Sequence, residues 1–264
     1  MTKPQYVTVS FSGGKDSTAM LLHMMELGEH IDEVINVDTG MEFPAMYEHI
    51  ADIKERVEAH GIKFTTLRND KSFEYVMLHQ EIKSDKFGTH YGFGWPTPVI
   101  RWCTRHMKLD LLNQHCKELR EKYTLIECIG LAADELMRLS RPANQAPGHR
   151  HPLVEWGWSE EDCLQYCIER GGAVEGWQEL YRTFNRVSCW CCPLAPISEL
   201  RKLWSNYPEL WAKLQQWEDY MNAHPPYYAK FKQDLSVADL TARFEREDRA
   251  RRNQRTLDTF GGMA

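Results

Sequence analysis

Apolar and small polar residues alternate from Tyr6 to Phe11, the period of a strand with one buried face. The run crosses Ser12-Gly13-Gly14 directly into a segment of helical apolar spacing that extends through Leu27 and stops at Gly28. Glu33-Val34-Ile35-Asn36-Val37 predicts a second strand ending in Asp38-Thr39-Gly40. Pro44 suits the first position of a helix that runs to His60 and ends at Gly61, and Ile62 to Leu67 predicts a third strand. Strand–helix alternation at such short spacing implies parallel strands joined by right-handed crossovers, hence a layered parallel α/β sheet. A helical pattern through Leu119 precedes a further strand over Thr124 to Gly130.

The segment from Ser84 to Pro98 breaks this rhythm, being rich in glycine, proline and aromatics. It is too apolar for a solvated linker and too glycine-rich for a regular element, which leaves a lid and a packing segment as its two readings. Arg141 to His151 predicts a loop, and Ser159-x-x-Asp162 is a capping-box-like start for a helix ending at Gly171-Gly172. Cys163 and Cys167 share one face of that helix and read as core, with metal binding as the lesser alternative. From Ile197 onward the pattern is helical, with Trp204, Trp211 and Trp217 on amphipathic stripes. Residues 1–196 are expected to form one α/β domain, and 197–264 a helical extension packed on it.

The strand-to-helix junction carries the chemistry. Two glycines let backbone approach an oxyanion, and the new helix offers unpaired N–H groups and the positive end of its dipole. Ser12 and Ser17 add hydroxyls, Lys15 adds a point charge, and Asp16 a carboxylate. The spacing is not that of a Walker loop. Asp38 stands at the carboxyl end of a strand, where open α/β sheets bind ligands.

Ser12-Gly13-Gly14-Lys15-Asp16-Ser17 resembles the pyrophosphate loop of the PP-loop ATP pyrophosphatases. Further blocks, in the same order, resemble the PAPS reductase-like group within that superfamily: Val37-Asp38-Thr39-Gly40 with Phe43-Pro44 and Tyr47, Arg101-x-Cys103 with Lys108, Gly130 to Arg138, and Leu180-Tyr181 with Cys189-x-x-Cys192-Pro193. The resemblance implies a PP-loop fold and an adenine nucleotide, ATP or APS/PAPS, with Mg2+, held by Ser12, Gly13, Gly14, Lys15, Asp16, Ser17, Asp38, Thr39, Gly40, Arg101, Gly130, Asp134, Glu135 and Arg138. It gives Lys15, Asp16 and Lys108 the catalytic roles. The chain departs from the pattern at Ala132, where Arg is common, and at Leu136 and Ser188, where Ser and Gly are common. Its last ten residues lack the cysteine of assimilatory PAPS reductases, and Thr104 follows Cys103 where APS reductases have a second cysteine.

Cys189 and Cys192 form a C-x-x-C pair with Cys191 between them. With Cys103 they suit a 4Fe-4S cluster, zinc, or a redox dithiol; the iron–sulfur cluster is favoured, with zinc as the alternative. A PP-loop paired with thiolates points to adenylation of an acceptor followed by sulfur transfer. Sulfonucleotide reduction to sulfite and a non-catalytic nucleotide-sensing subunit are the competing readings. The expected partners are a sulfur donor or reductant protein, a nucleic acid as one class of acceptor, and a second copy of the chain in a homo-oligomer.

Composition narrows the setting. The chain has 264 residues, 42% hydrophobic and 27% charged, with a net charge of −6; such values suit a globular enzyme and argue against a surface that coats nucleic acid. Arg249 to Arg255 is locally basic, which reads as a solvated helix before it reads as a nucleic-acid contact. No apolar run approaches a membrane span, and the start lacks a signal-peptide pattern, so a cytoplasmic protein is expected. There the eight cysteines would serve as thiols or ligands.

Overall fold

The computed structural model describes residues 3–85, 88–225, 230–232 and 234–261. β1 (Gln5–Phe11) leads into α1 (Lys15–Glu26), whose Ala19, Met20, Leu21 and Met24 are buried. β2 (Glu33–Asp38), α2 (Pro44–Ala59, with Pro44 in its first turn) and β3 (Lys63–Arg68) follow as the alternation requires. Next come α3 (Phe73–Leu78), β4 (Glu81–Ser84) and β5 (Gly88–Tyr91). α4 (Trp102–Thr104) passes through a π-helical turn, Arg105–Leu109, into α5 (Asp110–Lys122). β6 (Thr124–Ile129), α6 (Leu136–Leu139), β7 (His149–Arg150) and α7 (Pro152–Trp156) lead to α8 (Glu160–Glu169) and α9 (Glu175–Thr183). Ser159 and Asp162 close the capping box that starts α8. α10 (Ile197–Asn206), α11 (Pro208–Ala223) and α12 (Val237–Gly261) complete the chain.

These elements form two compact units: Met1–Asp70 with Cys103–Cys189, and Lys71–Trp102 with Trp190–Ala264. The first holds a five-stranded sheet in the order β3-β2-β1-β6-β7, parallel throughout and flanked by helices. The fold is the layered parallel α/β sheet that the alternation implies. The chain runs outward from β1 through β2 to β3 and resumes at β6 on the other side of β1. That reversal is a topological switch point, and ligands of open α/β sheets bind outside the strand carboxyl ends there. Ser12, Asp38, Arg68 and Gly130 stand at or just beyond those ends.

The second unit joins two separate stretches of the chain. Its β4–β5 hairpin is antiparallel and belongs with the C-terminal helices. Aromatic packing explains the grouping: Trp95 lies 4.8 Å from Phe231 and 6.0 Å from Trp217, ring centre to ring centre, and Phe73 lies 4.8 Å from Trp102. Trp95 is 1% exposed and serves packing, whereas Tyr91 of the same glycine-rich segment is 59% exposed. Lys86 and Phe87 of the same segment lie outside the described residues. Gly92 accounts for part of its glycine content, because at φ +74° a Cβ there would lie 2.5 Å from the Met77 carbonyl oxygen.

Candidate nucleotide site at the strand-to-helix loop

The loop is braced from within. Ser17 Oγ accepts from the Ser12 amide at 3.1 Å, lies 3.1 Å from Ser12 Oγ and donates to the Gly14 carbonyl at 3.1 Å. Gly13 takes φ +78°, and a Cβ there would come within 2.7 Å of Met46 Sδ and 2.9 Å of Ile50 Cγ1, so only glycine fits both the conformation and the space. Gly130 serves by close approach: a Cβ there would sit 3.0 Å from the Ser17 backbone.

Lys15 opens α1 and faces carboxylates. Its Nζ lies 2.9 Å from Asp16 Oδ1 and 2.5 Å from Glu160 Oε2. Burial disfavours its charge, but the hydrogen bonds from Glu160 and Asp16 outweigh burial and hold its pKa above the ordinary lysine value. Burial also pushes the Asp16 carboxyl up, against the pull of Lys15, with Glu160 and Glu135 adding to the rise. Asp134 accepts from the Glu160 amide at 3.2 Å and so anchors the start of α8 beside Lys15. Glu135 pairs with Arg138 and accepts from the Ala132 amide at 3.4 Å. Asp38 is 9% exposed; it accepts from the Gly40 amide at 2.7 Å and the Tyr47 hydroxyl at 3.0 Å, and it pairs with Arg68. Thr39 is buried, its hydroxyl accepting from the Met41 amide at 3.4 Å.

A second group in the same unit surrounds Lys108. Its Nζ lies 3.7 Å from Glu42 Oε1, and the Cys189 thiol donates to that oxygen at 3.5 Å. Burial works against the Lys108 charge, but the fields of Cys189, Glu42 and Cys103 together raise its pKa. Arg101, which is exposed, and Cys191 and Cys192 belong to the second unit. Cys191 is 2% exposed, and Lys232 donates to the Pro193 and Ala195 carbonyls at 3.1 and 2.6 Å, closing the turn after Cys192.

The cluster expectation meets a limit in this geometry. Iron–sulfur clusters and structural zinc take three or four thiolate or imidazole ligands. Among the described residues no group of three or more His, Cys, Asp or Glu side chains is gathered to hold a metal ion. Within the first unit Cys103 and Cys189 lie close enough to Lys108 for their fields to act on it. Mg2+ asks less of the protein, since it uses one or two carboxylates plus substrate phosphates. Asp16 would fill that role.

Glu160, Glu42, Arg68, Trp177 and Tyr181 enter the site without having been singled out from sequence. Tyr181 alone carried a signal, lying in the Leu-Tyr block before the cysteines.

The model for the phosphoadenosine phosphosulfate reductase domain matches residues 6–195. The chain belongs to that family. Two uncharacterized Methanocaldococcus jannaschii proteins are similar to this PAPS reductase-family chain. MJ0066 is 27% identical over 228 residues, covering 83% of this chain and 42% of its own length. MJ0973 is 27% identical over 220 residues, covering 78% and 46%. The chain thus spans less than half the length of these curated relatives. Among solved structures, a phosphoadenylyl-sulfate reductase from Candida auris in a phosphate complex aligns with TM-score 0.41 at 15% identity, over 70% of this chain and 81% of its own. The U34-tRNA thiolase NcsA from Methanococcus maripaludis, with its [4Fe-4S] cluster, aligns with TM-score 0.42 at 16% identity, over 93% and 73%. Among the described residues no helix is long and apolar enough to cross a membrane.

Proposed function

We propose that this PAPS reductase-family protein binds ATP at Ser12 to Ser17 and uses it to adenylate an acceptor for sulfur transfer. An acceptor oxygen attacks the α-phosphorus, the bond to the β-phosphate oxygen breaks, and pyrophosphate leaves. Hydrosulfide, already released by a donor protein, then adds to the activated carbon, the bond from that carbon to the AMP oxygen breaks and AMP leaves, with the sulfur at the sulfide level throughout. The Lys15 ammonium and the positive end of the α1 dipole would stabilise the leaving pyrophosphate, a preorganised arrangement of charge and dipoles. Asp16 would hold Mg2+ against the same phosphates. Lys108, beside the Cys103 and Cys189 thiols, supplies a second cation for the acceptor or the sulfur species. The acceptor class is a nucleic acid or a small metabolite.

The observation that carries this reading is the glycine loop, braced by Ser17 and ending in Lys15, at the switch point between β1 and β6. The experiment is pyrophosphate release from ATP by the full chain, with nucleic-acid and small-molecule acceptors in turn, for the wild type and Lys15→Ala. Loss of one preorganised charge contact predicts a drop of about 100-fold in turnover. Unchanged turnover in Lys15→Ala would overturn the assignment of the loop. Sulfite formation from APS or PAPS with ATP left intact would assign the site to sulfonucleotide reduction instead.

A further inference from the structure

α9 meets the loop with two side chains one helical turn apart. Trp177, 0% exposed, donates its indole N–H to the Gly13 carbonyl at 2.8 Å. Tyr181 takes the Lys15 amide on its hydroxyl at 2.9 Å, and the two rings lie 4.3 Å apart. Spacing of i, i+4 puts both on one helix face. His49, 0% exposed, supports the pair from behind, 5.0 Å from the Trp177 ring and with Nε2 3.0 Å from Thr18 Oγ1 of α1. Trp177 therefore fixes the peptide whose φ only glycine adopts, and Tyr181 sits on an amide that α1 cannot satisfy internally.

A phenol hydroxyl both accepts and donates. Tyr181 uses its acceptor capacity on Lys15, and among the described residues no acceptor takes its own O–H. Burial raises its pKa, so it stays protonated at neutral pH. Gly14 leaves the approach open: a Cβ there would lie 3.6 Å from the Tyr181 hydroxyl, in van der Waals contact with it.

We propose that Tyr181 is a phosphate-binding residue of the loop, donating its hydroxyl hydrogen to an oxyanion of the bound pyrophosphate group while its oxygen holds the Lys15 amide. Trp177 is a positioning residue in the same device. This rests on the reading of the loop as a phosphate site. It predicts that α9, more than 160 residues downstream, contributes directly to phosphate affinity and leaves adenosine affinity alone.

The test is calorimetric binding of inorganic pyrophosphate and, separately, adenosine to the full chain, for wild type and Tyr181→Phe, with thermal midpoints for both. A hydrogen bond to a charged acceptor corresponds to a loss of about 10- to 100-fold in pyrophosphate affinity, with adenosine affinity unchanged. A merely structural role would lower the midpoint and weaken both ligands together, and that pattern overturns the proposal. Equal pyrophosphate affinity in the two proteins also overturns it, with the loop reading intact. Wild-type protein that binds adenosine and not pyrophosphate overturns the loop reading itself, and Tyr181 with it. If Tyr181→Phe does not fold, the ultraviolet tyrosine difference spectrum of the wild type on adding pyrophosphate decides. A red shift is expected from a phenol that gains an acceptor, and its absence overturns the proposal.

Discussion

Replacing Glu160 by Gln should tighten the binding of pyrophosphate measured without Mg2+. Glu160 lies 2.5 Å from Lys15 Nζ, so if the loop binds phosphate as proposed, an incoming anion competes with it for that charge. Glu160 is half-exposed at 49%, whereas Lys15 is 13% exposed, so the full interior Coulomb energy does not apply. Exposed pairs are worth roughly 0.2–1 kcal/mol. Removing the competing charge therefore corresponds to an affinity gain of about 1.5- to 5-fold. Glutamine keeps the side-chain length, and the Glu160 amide that Asp134 anchors is backbone, so the start of α8 is preserved. Isothermal titration at low salt reads the effect, which should shrink as ionic strength rises and the Debye length falls to about 8 Å. Unchanged or weaker binding in Glu160→Gln at low salt would refute this competition and reassign Glu160 to structural support of Lys15.

Two further outcomes follow from buried groups. Burial, with a smaller contribution from Arg56, lowers the His49 pKa from 6.5 to about 4. The unfolded chain then binds more protons than the folded one between these values, so the stability His49 permits is present above pH 6.5 and is lost as pH falls towards about 4. The loss amounts to roughly 3 kcal/mol. Urea midpoints across this window should show it, and a His49→Gln variant with the same pH slope would refute the assignment. Gly130→Ala should push a Cβ against the Ser17 backbone, displace the start of α1 and lower both thermal midpoint and pyrophosphate affinity. A variant that kept wild-type pyrophosphate affinity would show that the contact is not felt at the loop.

The sheet was legible because its evidence is local. β1, β2, β3 and β6 each carry apolar runs between turn residues, and the helices between them end at glycines or begin at proline. β7 spans only His149–Arg150, too short to show a period, and its place at the edge comes from pairing with β6. β4 and β5 hid among glycines and aromatics whose partners, such as Trp217 and Phe231, lie more than a hundred residues away. The site divides the same way. Ser12 to Ser17 could be read because a strand, two glycines and a helix start coincide within a few residues. Glu160 and Tyr181 reach Lys15 across 145 and 166 residues, and no local spacing encodes such contacts. Arg68 reached Asp38 through the β2–β3 register, which fixes only once the strands pair.

The interleaving of the two units constrains the order in which the chain can fold as it is made. The first unit needs Cys103–Cys189 to add β6 beside β1, and the second cannot close its core until Trp190 and the residues after it emerge. Phe73 and Trp95 are therefore synthesised well before Trp217 and Phe231, which pack against them. During that interval the aromatic rings of Phe73 and Trp95 stand uncovered, and such surface is what chaperones bind and aggregates grow from. A shortened chain ending at residue 196 would hold that state permanently, which makes the C-terminal helices a condition for solubility of the segment at 71–102 as well as a part of the fold.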